Sequence, residues 1–216
     1  VAPQTVPGTA GGLSSGGNKE TMKTLAECRV LALCCASQER AVSIAAGVAP
    51  YTSPPATHET FRLGRIIRQR GPFDLLYLSL HGYQSLPYLY GDDGLAAVSL
   101  ADFQDLDLTH TVVFAGSCHF NETPFPAQIL ACRPRLLIGG PGRNYTRPRT
   151  LVGANLLGFL LRRGLQLHQP PPIALAIAKA GLRLRTAKLQ RRQARLPDTQ
   201  TTDHLPQRLR LAEDIY

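Results

Sequence analysis

Two residues able to perform nucleophilic catalysis lie just past apolar stretches of strand length. His81 ends the stretch 73–80 and is followed by Gly82, and Cys118 comes shortly after the stretch 111–115. A free thiol, with a pKa near ~8.5, is mostly protonated at neutral pH. A neighbouring imidazole activates the thiol by taking its proton or by stabilising the thiolate. The backbone N–H groups of Gly82 and Cys118 are natural donors to the oxyanion that forms when a thiolate attacks a carbonyl. These residue types therefore indicate thiol-protease chemistry.

The elements that must bring His81 and Cys118 together are predicted to be parallel strands. Continuous apolar runs, typical of strands covered on both faces, span residues 30–36, 73–80, 111–115 and 135–138. Helices are predicted over residues 57–70, 126–132, 150–163 and about 170–195, with a short helix over 99–107 and a hairpin over 88–98. Ser99 is the expected N-cap of the short helix, and Gly164 is the expected C-cap of the helix 150–163.

This alternation predicts an α/β fold, a three-layer α/β/α sandwich with a mostly parallel central sheet. In such sheets the active site lies beyond the carboxyl ends of the strands. Neighbouring strands are roughly 5 Å apart. If the strands before His81 and Cys118 are neighbours, both side chains emerge at the same edge and within reach of each other.

Residues from about 29 to about 188 resemble the caspase-like cysteine proteases, the clan of caspases, metacaspases and gingipains, and most closely the CHAT-domain group. The resemblance is carried by Leu80-His81-Gly82, the turn Gly91-Asp92-Asp93-Gly94, the helix 100–106, the strand end 112–118 and the later strand 136–140. It implies a caspase-like fold and a cysteine endopeptidase that needs no cofactor, with His81 and Cys118 as the catalytic dyad. It also implies cytoplasmic proteolysis of a protein or peptide substrate, controlled by a regulatory domain or a partner protein.

Four further residues are candidates for substrate binding: Asp92, Asp93, His119 and Arg143. Turn chemistry alone explains the two aspartates equally well. Arg143 is expected to select acidic substrate residues from the loop after the fourth strand. Because adjacent strand residues point to opposite faces, His119 is a poorer partner than His81 for the adjacent cysteine. Metacaspases have an aspartate where this chain has Gly116, so a preference for Arg or Lys is not implied.

The charge distribution supports a second hypothesis. The 216 residues carry a net charge of +9, and the stretch between Glu122 and Asp198 has 14 Lys or Arg and no acidic residue. The residues after Cys118 also depart from the acidic residue and glycine usual in CHAT proteins. An inactive caspase-like scaffold that binds an acidic partner through its basic C-terminal half fits both observations. Nucleic-acid binding is the weaker alternative, because the basic run lacks interleaved aromatic residues and the chain has no Trp.

The remaining composition excludes several classes. No apolar run reaches the ~18 residues of a membrane span, so we expect no membrane partner. Five cysteines without a C-x-x-C pair argue against a structural zinc site or a disulfide framework, and Cys34 and Cys35 are predicted to be buried strand thiols. A metal site of Cys118, His119 and His81 would lack both ligand spacing and a carboxylate, so no metal is expected. The predicted organisation is a disordered tail or linker at 1–20, a protease domain at 21–197 and a polar tail at 198–216.

Overall fold

A computed structural model describes residues 28–53, 62–92, 94–144 and 150–193. The predicted tails at 1–20 and 198–216 lie outside these residues, as do the first residues of the helix predicted at 57–70 and the candidate Asp93. Within the described parts, no helix is long and apolar enough to cross a bilayer.

The strands are β1 (Val30–Cys35), β2 (Tyr51–Ser53), β3 (Leu75–Ser79), β4 (Tyr88–Tyr90), β5 (Ala96–Ser99), β6 (Val112–Ala115) and β7 (Leu136–Gly139). The helices are α1 (Glu39–Ala46), α2 (Arg62–Arg70), α3 (Phe125–Ala131), α4 (Gly153–Gln166) and α5 (Pro171–Gln193). Short 3-10 turns cover Ala36–Gln38, Leu100–Phe103 and Phe120–Glu122.

Five strands form one parallel sheet in the order β2-β1-β3-β6-β7, and β4 and β5 form a separate antiparallel hairpin. The predicted α/β class, the mostly parallel central sheet and the hairpin are therefore confirmed. The strands before His81 and Cys118, β3 and β6, are direct neighbours.

Both faces of the sheet are covered, which explains the continuous apolar runs. In β1, Leu31, Leu33 and Cys35 face a core shared with α2, α3 and the hairpin. Ala32 and Cys34, which alternate with them, face a second core shared with α1, α4 and α5. Because successive strand residues point to opposite faces, a sheet buried on both sides needs apolar residues at every position. The expected burial of both cysteine thiols is confirmed.

Three local predictions need correction. Gly164 does not cap α4, which continues to Gln166; a Cβ there would lie 2.8 Å from the Ala174 Cβ, so the glycine allows α4 and α5 to approach closely. The helix predicted at 99–107 is a single 3-10 turn, although Ser99 precedes it and donates its N–H and Oγ–H to the Asp102 carboxylate. The predictions also omitted α1 and β2, which are short and have weaker apolar patterns.

Candidate functional site

The register between β3 and β6 places His81 and Cys118 at the same level of the sheet. Leu78 of β3 pairs with Ala115 of β6. His81 lies three residues beyond Leu78, and Cys118 lies three residues beyond Ala115. The alignment continues past the strands, because the Gly116 N–H donates to the Leu78 carbonyl at 2.7 Å. The two candidates therefore follow neighbouring strands at the same, carboxyl edge of the sheet.

Gly82 brings the backbone after His81 into contact with the turn that carries Cys118. A Cβ at Gly82 would lie 2.2 Å from the Cys118 carbonyl oxygen and 3.6 Å from the Ser117 Cβ. Only a residue without a side chain fits this approach. The described part of the chain offers no acceptor to the N–H of either Gly82 or Cys118. Gly82 is buried.

His81 is fixed through its backbone and through one ring nitrogen. It exchanges two backbone hydrogen bonds of 2.9 Å with Tyr90, which tie the end of β3 to the hairpin. Its Nε2 lies 3.2 Å from the Asp92 Oδ1, and its side chain remains 45% exposed. When Nε2 carries the proton shared with Asp92, Nδ1 is the ring nitrogen able to accept another proton.

Asp92 is oriented by Ser37, which follows β1. The Ser37 N–H donates to Oδ2 at 2.6 Å, and its hydroxyl donates to Oδ1 at 2.8 Å. Burial works against ionisation, but the hydrogen bonds from Ser37 and His81 outweigh it and hold the pKa of the Asp92 carboxyl below its usual value. An ionised carboxylate against a histidine stabilises an imidazolium and sets the ring orientation. Asp92, proposed from sequence as a substrate residue, thus lies beside His81.

The Cys118 thiol is half-buried under the loop after β7. The Asn144 N–H donates to its Sγ at 3.3 Å, and Sγ lies 3.7 Å from the Asn144 carbonyl oxygen. The Asn144 side chain also donates to the Ser117 carbonyl at 2.9 Å. Within the described residues, the hydrogen-bond partners of this thiol are the Asn144 backbone groups and not His81. Catalytic hydrogen bonds often tighten only in a substrate complex.

His119 and Glu122 clamp the Cys118 turn to the same loop. The His119 Nδ1 lies 3.1 Å from the Glu122 Oε2, and the other carboxylate oxygen accepts the Gly142 N–H at 2.6 Å. The His119 N–H donates in turn to the Gly142 carbonyl, and Gln84 donates to Glu122. The hydrogen bond from Gly142, followed by that from Gln84, lowers the pKa of Glu122.

His119 has a left-handed backbone with φ of 52°. The argument from strand alternation does not apply there, because β6 has already ended at Ala115. The His119 ring nevertheless faces Glu122, the residue whose carboxylate accepts the Gly142 N–H from the loop after β7. Arg143 is exposed in that loop, beside Asn144.

Sequence reasoning missed Asn144, Ser37, Glu122 and Cys35. Asn144 follows the fourth predicted strand, so the rule that identified His81 and Cys118 could have found it. Cys35 is the last residue of the first strand, and Ser37 follows it. The Cys35 Sγ lies 3.6 Å from the Tyr90 carbonyl oxygen, and burial, followed by the negative charge of Asp92, raises the pKa of the thiol to about 12.

A pocket of about 390 Å³ lies at the opposite, amino edge of the sheet. Its lining includes Cys28, Asp74, Arg135 and His168. We nevertheless assign the candidate site to the carboxyl edge, because parallel sheets bind ligands there and because the strands before His81 and Cys118 both end there.

Comparison with known proteins finds no matching family model, no matching curated protein and no matching solved structure. The resemblance to caspase-like proteases therefore depends on the sequence motifs alone.

Proposed function

We propose that this protein is a cysteine endopeptidase of the caspase-like class, with Cys118 as nucleophile and His81 as general acid and base. The observation that carries the proposal is the alignment of these residues, each three positions beyond the Leu78–Ala115 pair. The close approach of Gly82 to the Cys118 carbonyl adds support, because it holds together the two turns that carry the proposed oxyanion donors.

The reaction begins when the His81 Nδ1 takes the proton of the Cys118 thiol. The resulting imidazolium donates its Nε2–H to Asp92, whose charge compensates that of the ring. The thiolate attacks the peptide carbonyl carbon, and the π electron pair moves to the oxygen, which the amides of Gly82 and Cys118 stabilise. The imidazolium then gives its proton to the amine as the C–N bond breaks, leaving a thioester on Cys118.

Water completes the cycle. His81 takes one proton from the water as its oxygen attacks the thioester carbonyl. The C–S bond breaks, the new carboxyl product leaves, and the proton on His81 returns to the thiolate. No cofactor takes part in these steps, and atoms and charges balance.

Cleavage of a diverse peptide library tests the proposal. We expect the wild type to cleave a subset of peptides, with Cys118→Ala and His81→Ala abolishing cleavage. Cys28→Ala is the matched control, since Cys28 is also half-buried but lies by the opposite edge of the sheet. Cleavage that persists in Cys118→Ala would contradict the proposal.

The scaffold alternative remains a second candidate, because α5 exposes Arg183, Arg185 and Lys188 and the segment around it has no acidic residue. A scaffold would bind an acidic partner equally well after Cys118→Ala. It would lose that binding when the three basic residues of α5 are changed to Glu.

A further inference from the structure

Three side chains of metal-binding type converge beside the proposed dyad. The ligand atoms of Cys35, His81 and Asp92 all lie within 4.8 Å of one another. They come from three separate places in the chain: the end of β1, the residues after β3 and the turn after β4. Thiolate, imidazole and carboxylate are the three side-chain ligands that Zn²⁺ takes in proteins.

The spacing between His81 and Asp92 matches a shared metal. Zn–N and Zn–O bonds of about 2.0–2.2 Å at a tetrahedral angle separate the two ligand atoms by about 3.3–3.5 Å. The His81 Nε2 and the Asp92 Oδ1 are 3.2 Å apart. A Zn–S bond of about 2.3 Å requires the sulfur to lie about 3.6 Å from the other ligands. Each distance from the Cys35 sulfur therefore needs to shorten by about 1.2 Å at most, given the 4.8 Å limit.

Ser37 orients the Asp92 carboxylate, and the cluster is accessible to solvent on one side. Ser37 holds both carboxylate oxygens, at 2.6 and 2.8 Å, and such outer hydrogen bonds orient the ligands of metal sites. The Cys35 thiol is buried, whereas the His81 side chain is half-exposed. A metal ion thus reaches the cluster from the side of His81.

We propose that Cys35, His81 and Asp92 bind one Zn²⁺ ion, with the fourth position open to water. Binding displaces the Cys35 thiol proton to solvent and forms a Zn–thiolate bond. With Nε2 on the metal, the remaining proton of the neutral His81 ring is on Nδ1, so the ring can no longer accept the Cys118 proton. Zinc therefore inhibits the peptidase. The proposal thus has two halves: zinc binding stands by itself, and zinc inhibition rests on the proposed function.

Titration of the metal-free protein with Co²⁺ and with Zn²⁺ against a chromogenic chelator tests the site. We expect one metal ion per chain and a thiolate-to-cobalt charge-transfer band in the wild type. Cys35→Ala should remove the band. Cys35→Ala and Asp92→Asn should each weaken Zn²⁺ binding by more than about 100-fold, because losing even an outer partner of a ligand typically costs roughly 10–100-fold. Circular dichroism checks that each variant is folded, and the half-exposed Asp92 provides the test if Cys35→Ala does not fold.

Cys118→Ser is the matched thiol control and should keep both the band and the affinity. The metal site is refuted if the wild type binds no Zn²⁺, if folded Cys35→Ala or Asp92→Asn binds it like the wild type, or if Cys118→Ser removes the band.

Zinc inhibition of peptide cleavage, relieved in Cys35→Ala, tests the second half. A protein that binds Zn²⁺ through Cys35 but cleaves no peptide would support the metal site and overturn the proposed function. An active peptidase that zinc inhibits equally in the wild type and in Cys35→Ala would overturn the inhibitory role instead.

Discussion

Replacement of Gly82 by alanine should displace the turn that carries Cys118. The added Cβ would lie 2.2 Å from the Cys118 carbonyl oxygen, and the backbone must yield by about 0.8 Å to reach even 3.0 Å. Because the obstacle is a main-chain atom, no side-chain rotation relieves the contact. Overpacking of this kind typically costs about 1–3 kcal/mol. Misplacing a reacting group by about 1 Å can lower a rate by about 10²-fold.

Urea denaturation and the rate of iodoacetamide modification at Cys118 measure the two effects. We expect Gly82→Ala to lower the free energy of unfolding by about 1–3 kcal/mol and to change the Cys118 modification rate. Gly116→Ala is the control at the same sheet edge, because its added Cβ would meet its nearest atoms at an ordinary 3.5 Å. Wild-type stability together with a wild-type Cys118 rate in Gly82→Ala would refute the close approach of the two turns.

Three other substitutions test separate contacts. Tyr77→Phe removes the buried hydroxyl that donates to the Asn155 Oδ1 at 2.8 Å, so urea denaturation should show a loss of about 1–3 kcal/mol, and an unchanged midpoint would contradict this. Burial opposes ionisation of Asp74, but the hydrogen bonds from Arg29 outweigh it and lower its pKa. The stability this gives is present above about pH 3.9 and is lost as the pH falls through the folded-state pKa. In Asp74→Asn, unfolding free energies measured at pH 5, 4 and 3 should fall less steeply than in the wild type; equal slopes would count against the interaction. Glu122→Ala frees the loop after β7 from the Cys118 turn, so hydrogen exchange of the Gly142 amide should accelerate at least about tenfold, whereas unchanged protection would contradict the clamp.

The sequence predicts the sheet well because burial on both faces leaves a strong signal. Strands β1, β3, β6 and β7 each need apolar residues at consecutive positions, and such runs stand out from the surrounding polar segments. Short elements carry less signal: β2 has three residues, and α1 is formed by eight residues of mixed polarity. A glycine near a helix end predicts a cap, but Gly164 lies inside α4, where its missing side chain accommodates Ala174.

The site could be predicted only in part, because its residues come from distant segments. The rule that ligands bind at the carboxyl ends of parallel strands leads directly to His81 and Cys118. It does not reveal that Ser37 orients Asp92, since 55 positions separate them and their contact depends on how the hairpin folds against β1. Likewise, Asn144 reaches Cys118 only through the path of the loop after β7.

The measurement that tests the central claim most directly is the rate of iodoacetamide alkylation at each cysteine near neutral pH, in the wild type and in His81→Ala. We predict that Cys118 reacts much faster than the buried Cys34, Cys35 and Cys132, and that His81→Ala slows Cys118 selectively. If Cys118 is as inert as the buried thiols, or reacts at the same rate without His81, the proposed dyad is contradicted.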